Sequence, residues 1–417
     1  MFTSFSTALS ALNAMSTAID VVGNNLANLN TPGFKASVVS FHDLVTQSLG
    51  AGLGETQVGF GVGSPITLRE FTQGAQQTTN GPLDVMIQGD GFFVVSGSNG
   101  ATEYTRGGNL EVDQNGNLTT ATGEQVQGWT ATNGTVDTNQ PIGNIQVPVG
   151  GVKAPIATQN FSFDLNLNAA STAGPPPDTF AETINVYDSL GEAHQVTANF
   201  TKDANSGQWD YSVALNANDL STPVAPTTGS ITFDSNGTLI SPAATDASPT
   251  ITIPDGAFSD GASGMTLNWN LYNGSTPRLT QYAQPSSLSA QQQDGAPAAQ
   301  LIRVAIGNGG NILAQYSDGG QTVVGQLAMA TIRNPESLVA TGDNNYEASG
   351  QTALPAIGTP GTGGRGTVIG GAVESSTTDI AEEFTNLIVY QRGYEANSRM
   401  ITTVDQLSQE TINLKQQ

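Results

Sequence analysis

The chain has 417 residues, of which 12 are basic and 35 are acidic, so its formal net charge is −23. This charge repels the phosphate backbones of nucleic acids and anionic membrane surfaces, so we expect no nucleic-acid partner. Cysteine is absent, which excludes disulfides, cysteine-ligated zinc and thiol catalysis. A high glycine count of 49 and only 11% charged residues are typical of β-rich extracellular or filament proteins.

The N-terminus lacks the basic segment and the uninterrupted apolar segment of a secretory signal. The sequence also has no run of about 18 apolar residues that could span a membrane. We therefore predict no cleaved secretory signal and no membrane insertion. A protein of this composition is then either cytosolic or exported by another route.

The first 30 residues show apolar side chains at alternating steps of three and four, the seam pattern of a coiled coil. Asp20 is the only charged residue before Lys35, so a helix here needs a partner to cover it. Pro32 cannot continue a helix, which places the helix end near Asn28–Gly33. The predicted N-terminal seam comprises Phe5, Leu12, Met15, Ile19, Val22, Leu26 and Leu29.

The middle of the chain reads as β-structure with glycine-rich connectors. Alternating apolar residues begin after Phe71, and an Asn-Gly pair at 115–116 predicts a hairpin turn. Proline clusters separate a second set of strands from the first. We predict a mainly β, α+β fold with two terminal coiled-coil-type helices, extended linkers and two nested β domains. The predicted parts are a helical core (1–32 plus 374–417), linkers (33–70 plus 356–373), an inner β domain (71–150 plus 283–355) and an inserted outer β domain (151–282).

A second helix is predicted from Asp379 onward, with Glu382 and Glu383 in its first turn, where the helix dipole favours acids. The two terminal helices can pair within one chain or pack between subunits. Because the N-terminal helix carries almost no charge on any face, we favour packing between subunits. The predicted C-terminal seam comprises Ile380, Phe384, Leu387, Tyr394, Val404, Leu407 and Leu414.

No pattern in the sequence predicts catalysis, a metal or a cofactor. The Asp113-x-Asn115-Gly116 segment has its glycine at the wrong position for an EF-hand, so a turn is the better interpretation. His42 and His194 lie in different predicted domains, and each is expected to be an ordinary surface or half-buried residue. We therefore predict a protein that is not an enzyme.

The stretch from Asn24 to Lys35 resembles the N-terminal signature of the bacterial flagellar rod and hook family. Its Asn-rich helix exit and Gly-Phe-Lys sequence carry the resemblance. Residues 83–110 resemble the shared β domain of that family, and residues 387–397 its C-terminal helix. The segment 183–191 with His194 resembles the outer domain of hook members, which favours a hook subunit over a rod subunit. The motif residues are Asn28, Asn30, Thr31, Pro32, Gly33, Phe34 and Lys35.

The resemblance implies a structural subunit that polymerises into a curved, hollow tube and transmits motor torque as a universal joint. Its implied partners are copies of itself, a distal rod protein, a hook cap, a hook–filament junction protein and the flagellar type III export apparatus. The resemblance also implies a location in the flagellum outside the cell, reached without a cleaved signal. Two alternatives stay open: a distal rod or hook-associated axial protein, and a secreted β-rich carbohydrate-binding protein.

Overall fold

The computed structural model describes residues 2–44, 46–48, 57–132 and 134–415. Two long helices stand near the ends of the chain, α1 (Phe2–Ala27) and α2 (Ile380–Lys415), and the described residues between them form mainly strands and loops. The predicted fold class is confirmed: the protein is mainly β, with one helix at each terminus. The described residues also include three short 3-10 helices, at Ala217–Asp219, Asn308–Gly310 and Pro335–Ser337.

The helix boundaries follow local chemistry. α1 ends at Ala27, five residues before Pro32, and the chain leaves it through turns at Asn28–Gly33. α2 begins after Asp379, whose Oδ1 accepts hydrogen bonds from the backbone N–H groups of Ala381 (2.8 Å) and Glu382 (3.2 Å). Such a bond satisfies donors that an uncapped first turn would leave free.

The chain divides into two compact units, which we describe separately. The first comprises residues 1–149, 303–315 and 321–417, and the second comprises residues 150–302 and 316–320. Two strands, Ala299–Ile306 and Asn311–Tyr316, have residues in both. The other strands of the first unit are Ser37–Ser40, Thr46–Ser48, Gln57–Gly59, Ile66–Arg69, Gln76–Thr78, Val85–Gln88, Phe92–Ser96, Thr102–Thr105, Leu110–Val112, Leu118–Thr120, Gln125–Thr132, Thr135–Val136, Gly143–Asn144, Gln321–Leu327, Met329–Thr331, Val339–Gly342, Asn345–Glu347, Ala356–Gly358, Thr367–Gly370 and Ala372–Glu374.

The strand Phe92–Ser96 lies at the centre of the first unit. It pairs antiparallel with Thr102–Thr105, Gln125–Thr132 and Met329–Thr331. Its residues Phe93 and Val95 belong to one buried cluster, and Phe92 and Val94 belong to another. Both faces of this strand are therefore covered, which explains its unbroken apolar sequence.

The second unit is a sandwich of two five-stranded sheets. One sheet contains Asn160–Asn166, Thr250–Ile253, Met265–Trp269, Leu279–Thr280 and Ser287–Gln293, and the other contains Thr179–Tyr187, Ala193–Lys202, Gln208–Leu215, Thr227–Phe233 and Leu239–Ser241. Outside these sheets, Val152–Lys153 pairs with Ala299–Ile306, and Tyr272–Asn273 pairs with Thr276–Pro277. Alternate residues of Ala193–Lys202 are buried, the pattern of a strand with one inner face. The core is built around Trp269, whose ring contacts those of Phe161, Phe163, Phe200 and Tyr211.

Three sequence expectations differ from the structure. The second unit continues to residue 302, beyond the predicted boundary at 282, because Ser287–Gln293 pairs with Asn160–Asn166. The predicted linker at 356–373 contains a strand, Thr367–Gly370, that pairs with Val85–Gln88 and buries Val368. Glycine content suggested a linker there, but these glycines flank short paired strands. The third concerns His194, which was expected at the surface or half-buried and is only 3% exposed.

Other expectations at the connectors and turns agree with the structure. Within 33–70, Ser37–Ser40 pairs with Ile66–Arg69, so this connector does contain short strands; its residues 45 and 49–56 lie outside the described part of the chain. At the predicted hairpin, Leu110–Val112 pairs with Leu118–Thr120. Asp113 Oδ1 accepts from the backbone N–H groups of Asn115 and Asn117, and Gly116 has φ 84°. The turn interpretation of this segment is confirmed.

Candidate assembly interface

The two terminal helices lie side by side and antiparallel in one chain. Asn25 near the end of α1 contacts Glu383 in the first turn of α2, and Met15 lies beside Gly393 further along. A Cβ atom at Gly393 would stand 3.2 Å from Met15 Sδ, so glycine allows the helices to approach closely there. Pairing within the chain, the alternative that the sequence left open, is therefore present.

α1 presents alanines, rather than its large side chains, to its neighbours. Val22 is the one member of the predicted seam that is buried. Leu12, Met15, Ile19, Leu26 and Leu29 are half-buried, and Phe5 is 41% exposed. The other buried residues of the described part of α1 are Ala8, Ala14, Ala18 and Asn25. We call Ala8, Ala14 and Ala18 the alanine stripe. The sequence analysis considered only large side chains and so missed it, although the repeat of small residues at 8, 11, 14 and 18 could have indicated it.

The predicted C-terminal seam lies largely on the surface of the chain. Leu387 and Val404 are half-buried, whereas Ile380, Phe384, Tyr394 and Leu407 are 43–50% exposed. The side chain of Leu414 lies outside the described ones. Other large apolar side chains of α2 are exposed as well: Ile388, Val389, Met400 and Ile412. This 36-residue helix thus pairs with α1 and still leaves eight large apolar groups in solvent.

These exposed groups lie on both sides of the stripe of α2 that faces α1. That stripe includes Glu383, Tyr390, Gly393 and Asn397, which are buried or half-buried. At 3.6 residues per turn, Ile380, Phe384 and Ile388 fall on one flank of it, and Val389, Met400 and Leu407 fall on the other. A helix with apolar groups on two flanks can pack against two further helices in addition to its partner.

The motif residues connect the end of α1 to the β strands of the first unit. Asn28 Nδ2 donates to the carbonyl oxygen of Asn24 (2.9 Å), and Thr31 Oγ1 donates to Asn28 Oδ1 (3.1 Å). The carbonyl oxygen of Pro32 accepts a hydrogen bond from Asn344 Nδ2 (3.0 Å). Asn30 is exposed. These bonds hold the chain in the turn that follows α1.

Gly33 and Phe34 bring this segment onto the base of α2. Gly33 has φ 71°, and a Cβ atom there would stand 2.5 Å from the carbonyl group of Arg106, so only glycine fits. Its N–H donates to the carbonyl oxygen of Glu374 (2.7 Å). Phe34 is 8% exposed, and its carbonyl oxygen accepts from the N–H of Thr377 (3.1 Å).

Lys35 completes a group that we call the buried ion triad, consisting of Lys35, Arg106 and Glu374. Lys35 Nζ lies 2.6 Å from Glu374 Oε1, and Arg106 Nη1 lies 3.2 Å from Glu374 Oε2. Their side chains are 0–4% exposed. Glu374 Oε1 also accepts from the N–H of Gly74 (2.7 Å), and Lys35 Nζ donates to the carbonyl oxygen of Thr72 (2.5 Å). Burial lowers the pKa of Lys35, an effect that the adjacent Glu374 carboxylate opposes.

Asn25 joins the two helices and the first strand. Its Nδ2 donates to Glu383 Oε1 (2.7 Å) and to the carbonyl oxygen of Ser37 (2.8 Å), and its Oδ1 accepts from the N–H of Ser37 (3.0 Å). Burial raises the pKa of Glu383, with Asn25 opposing the shift by hydrogen bonding. The helix pair is therefore anchored to the β unit by polar bonds at one end.

Sequence reasoning did not single out Asn25, Arg106 and Glu374. A lone acid between Val373 and a Ser/Thr run was the available signal for Glu374. The partners of Glu374 lie hundreds of residues away in sequence, so no local pattern could have identified them. By length and composition, Ser4–Ala27 would also suffice to span a membrane, with a mean hydropathy of 1.2. The absence of membrane insertion stays a prediction.

Comparison with known proteins places this architecture in one family. Family models match four segments: "Flagella basal body rod protein" at 5–35, "Flagellar hook protein FlgE/F/G D1 domain" at 86–164, "Flagellar basal body protein FlaE D2 domain" at 169–296, and "Flagellar basal body rod FlgEFG protein C-terminal" at 369–414. A crystal structure of the Helicobacter pylori flagellar hook protein FlgE2 shares the fold, with a TM-score of 0.52 and 14% identity over 70% of this chain and 99% of that one.

Curated relatives match from end to end. The chain is 34% identical to the flagellar hook protein FlgE of Salmonella typhimurium, over 99% of this chain and 100% of the relative. It is 33% identical to FlgE of Escherichia coli K12 over 99% of this chain, and 32% identical to FlgE of Treponema pallidum over 100% of this chain, and both relatives are covered completely. Identity at this level over the whole length, including both terminal helices and the second unit, shows that the chain belongs to the flagellar hook protein FlgE family and is a structural subunit of the bacterial flagellar hook.

Proposed function

We propose that this subunit polymerises through the exposed apolar side chains of α1 and α2 into a curved, hollow tube. The observation that carries the proposal is the set of eight large apolar side chains that α2 exposes while it is already paired with α1. Apolar surface of this extent marks a protein contact in soluble proteins. Because the groups occupy two flanks of α2, neighbouring subunits can add helices on both sides and close a ring.

In the proposed tube, the terminal helices form the inner wall, and the β strands of the first unit together with the second unit form the outer shells. The tube transmits motor torque from rod to filament as a universal joint, with the helices as its stiff part. The buried ion triad supports this division of roles, because its solvent-excluded ion pairs connect the segment before α2 to the strands and loops of the first unit. Torque applied to the β strands of the first unit is thereby passed to the terminal helices.

We extend the proposal to the partners that the family resemblance implies. The subunit leaves the cell through the flagellar type III export apparatus without a cleaved signal peptide and adds beneath a hook cap. At its ends the polymer contacts a distal rod protein and a hook–filament junction protein. The absence of cysteine fits export of an unfolded chain, because no disulfide has to form or break on the way.

Electron microscopy of cells tests the proposal. A strain that lacks the gene is expected to make basal bodies without hooks and without filaments, and the reintroduced gene is expected to restore curved tubes. Mass spectrometry of the tubes should find the chain with its original N-terminal residues. Straight tubes would indicate a rod component instead. A deletion strain with normal hooks would contradict the proposed role.

A further inference from the structure

A cluster of three aspartates surrounds His194 in the second unit. Asp188 directly follows the strand Thr179–Tyr187, and His194 is the second residue of the strand Ala193–Lys202. Asp219 belongs to the 3-10 helix Ala217–Asp219, and Asp260 lies in the loop between Ile253 and Met265. Asp188 is fully buried and His194 is 3% exposed.

Three side-chain atoms of this cluster point at a common position. His194 Nε2 lies 3.0 Å from Asp188 Oδ2 and 3.9 Å from Asp260 Oδ2. One ligand atom from each of the three residues lies within 4.8 Å of the others. A metal ion about 2.0–2.2 Å from each ligand atom requires ligand atoms roughly 3–4 Å apart. The two separations from His194 Nε2, 3.0 Å to Asp188 and 3.9 Å to Asp260, fall in this range.

The backbone holds both carboxylates in this orientation. Asp188 Oδ1 accepts from the N–H groups of Leu190 (2.8 Å) and Glu192 (3.0 Å), which leaves Oδ2 for His194. Asp260 Oδ1 accepts from the N–H of Ala262 (3.0 Å), which likewise leaves Oδ2 towards the imidazole. Ligand oxygens held in this way lose little freedom when they bind an ion.

The histidine itself supplies an independent observation. Its Nδ1 atom is buried and makes no hydrogen bond, although Asp219 Oδ2 lies 3.3 Å away. A metal-ligating histidine usually directs its second ring nitrogen at a carboxylate, which fixes the tautomer and leaves the first nitrogen free to bind. Asp219 stands in that position. The Phe258 ring, with its centroid 4.6 Å from that of the imidazole, covers the site from another direction.

The charges of the cluster also call for a cation. Three carboxylates face one imidazole, and none of the salt bridges in the described part of the chain brings a Lys or Arg to any of them. The fully buried Asp188 needs compensation most, because the protein interior solvates a charge poorly, whereas the Asp219 and Asp260 side chains are 27% and 25% exposed. An imidazolium supplies only one positive charge, whereas a divalent ion supplies two.

We propose that Asp188, His194 and Asp260 form a binding site for a divalent transition-metal ion of the zinc class, with Asp219 as the positioning residue for His194. One nitrogen and two carboxylate oxygens suit Zn²⁺, which accepts water as a fourth ligand. Ca²⁺ fits less well, because it takes six to eight oxygen ligands. The bound ion ties Asp188 and the strand that carries His194 to the loop that carries Asp260, and so stabilises the second unit.

Calorimetric titration with ZnCl₂ tests the proposal on the full chain, purified without a histidine tag and treated with EDTA. At pH 7.5 we expect one saturable site per chain. Asp260→Asn should weaken the affinity at least tenfold, and Asp219→Asn about 10- to 100-fold through loss of orientation. Asp210→Asn, which removes an exposed carboxylate elsewhere in this unit, and His42→Asn, which removes the only other histidine, should bind as the unaltered chain does.

A second readout does not depend on any variant. Co²⁺ bound to the unaltered chain should give visible absorption bands of a four-coordinate site, and the bands should disappear when excess EDTA removes the ion. Circular dichroism checks that each variant is folded. Absence of saturable Zn²⁺ binding by the unaltered chain would overturn the proposal, and so would equal affinity of the folded Asp260→Asn variant. The first result would mean that the cluster holds no divalent ion, and the second that the ion binds without Asp260.

Discussion

Substitution of Glu374 by glutamine tests the buried ion triad. The change preserves the shape of the side chain but removes the charge that faces Lys35 and Arg106, both almost fully buried. Removal of one partner from a buried ion pair typically costs about 3–5 kcal/mol, because the remaining charges are left uncompensated. We expect a loss of that size in the free energy of unfolding of the first unit.

Hydrogen exchange followed by mass spectrometry measures this loss in the right unit. The N–H of Gly74 binds the Glu374 carboxylate and that of Gly33 binds the backbone carbonyl oxygen of Glu374, so peptides that contain these glycines report on the surroundings of the triad. A loss of about 3–5 kcal/mol corresponds to exchange roughly 10²- to 10³-fold faster or more, at 1.4 kcal/mol for each factor of ten. Peptides of the second unit should be unchanged.

Glu395→Gln is the matched control for this experiment. Glu395 pairs with Arg392 on the surface of α2, where both side chains are more than half exposed. Exposed ion pairs contribute only about 0–1 kcal/mol. If Glu374→Gln cost no more than Glu395→Gln, the triad would not anchor the helices to the β unit.

Three further predictions concern stability. Burial raises the pKa of Glu383 in the folded state above the ordinary value of 4.5, so the folded state binds this proton more tightly than the unfolded state does. The stability that this group contributes is full below pH 4.5 and falls as the pH rises through the raised pKa. Glu383→Gln should therefore gain stability relative to the unaltered chain between pH 4 and 7, and a stability difference that does not change with pH would contradict this. Ala18→Leu should cost about 1–3 kcal/mol by overpacking the α1–α2 contact, whereas Ala396→Leu on the exposed face of α2 should be near neutral in thermal unfolding followed by circular dichroism. Trp269→Ala should cost the second unit about 3–5 kcal/mol in urea unfolding, and Trp269→Phe clearly less, because the indole N–H has no hydrogen-bond partner; equal losses would show that the ring is not the centre of that core.

The sequence predicts the elements of this fold better than their partners. Both terminal helices, the Asn-Gly turn at residue 116 and the mainly β class follow from local periodicity and turn chemistry, which are properties of neighbouring residues. The sequence could not show that the alanine stripe of α1, rather than its larger apolar residues, is buried. An apolar repeat does not indicate which face of a helix contacts the partner helix. The strand Thr367–Gly370 was hidden by its flanking glycines, since strand pairing with Val85–Gln88 decides its conformation.

The polar groups at the base of the helices could not be predicted for a different reason. Lys35 and Glu374 lie far apart in sequence, and each looks like an ordinary charged residue in its own surroundings. The resemblance identified Lys35 as part of a family motif, and the structure supplies a physical reason for lysine there. The environment of His194 is similar in kind, because Asp219 and Asp260 come from segments distant in sequence that the folded second unit brings to the Asp188–His194 hairpin.

Electron microscopy of hooks built from Phe384→Asp tests the assembly surface most directly. Phe384 is 50% exposed on α2 and makes no contribution to the buried clusters of the described residues, so the substitution should leave the subunit folded. We expect cells that produce this variant to secrete the chain and to form no hooks. Gln406→Asp, the same new charge at an exposed polar position of α2, should give normal curved hooks. Normal hooks from Phe384→Asp would contradict assembly through the apolar flanks of α2.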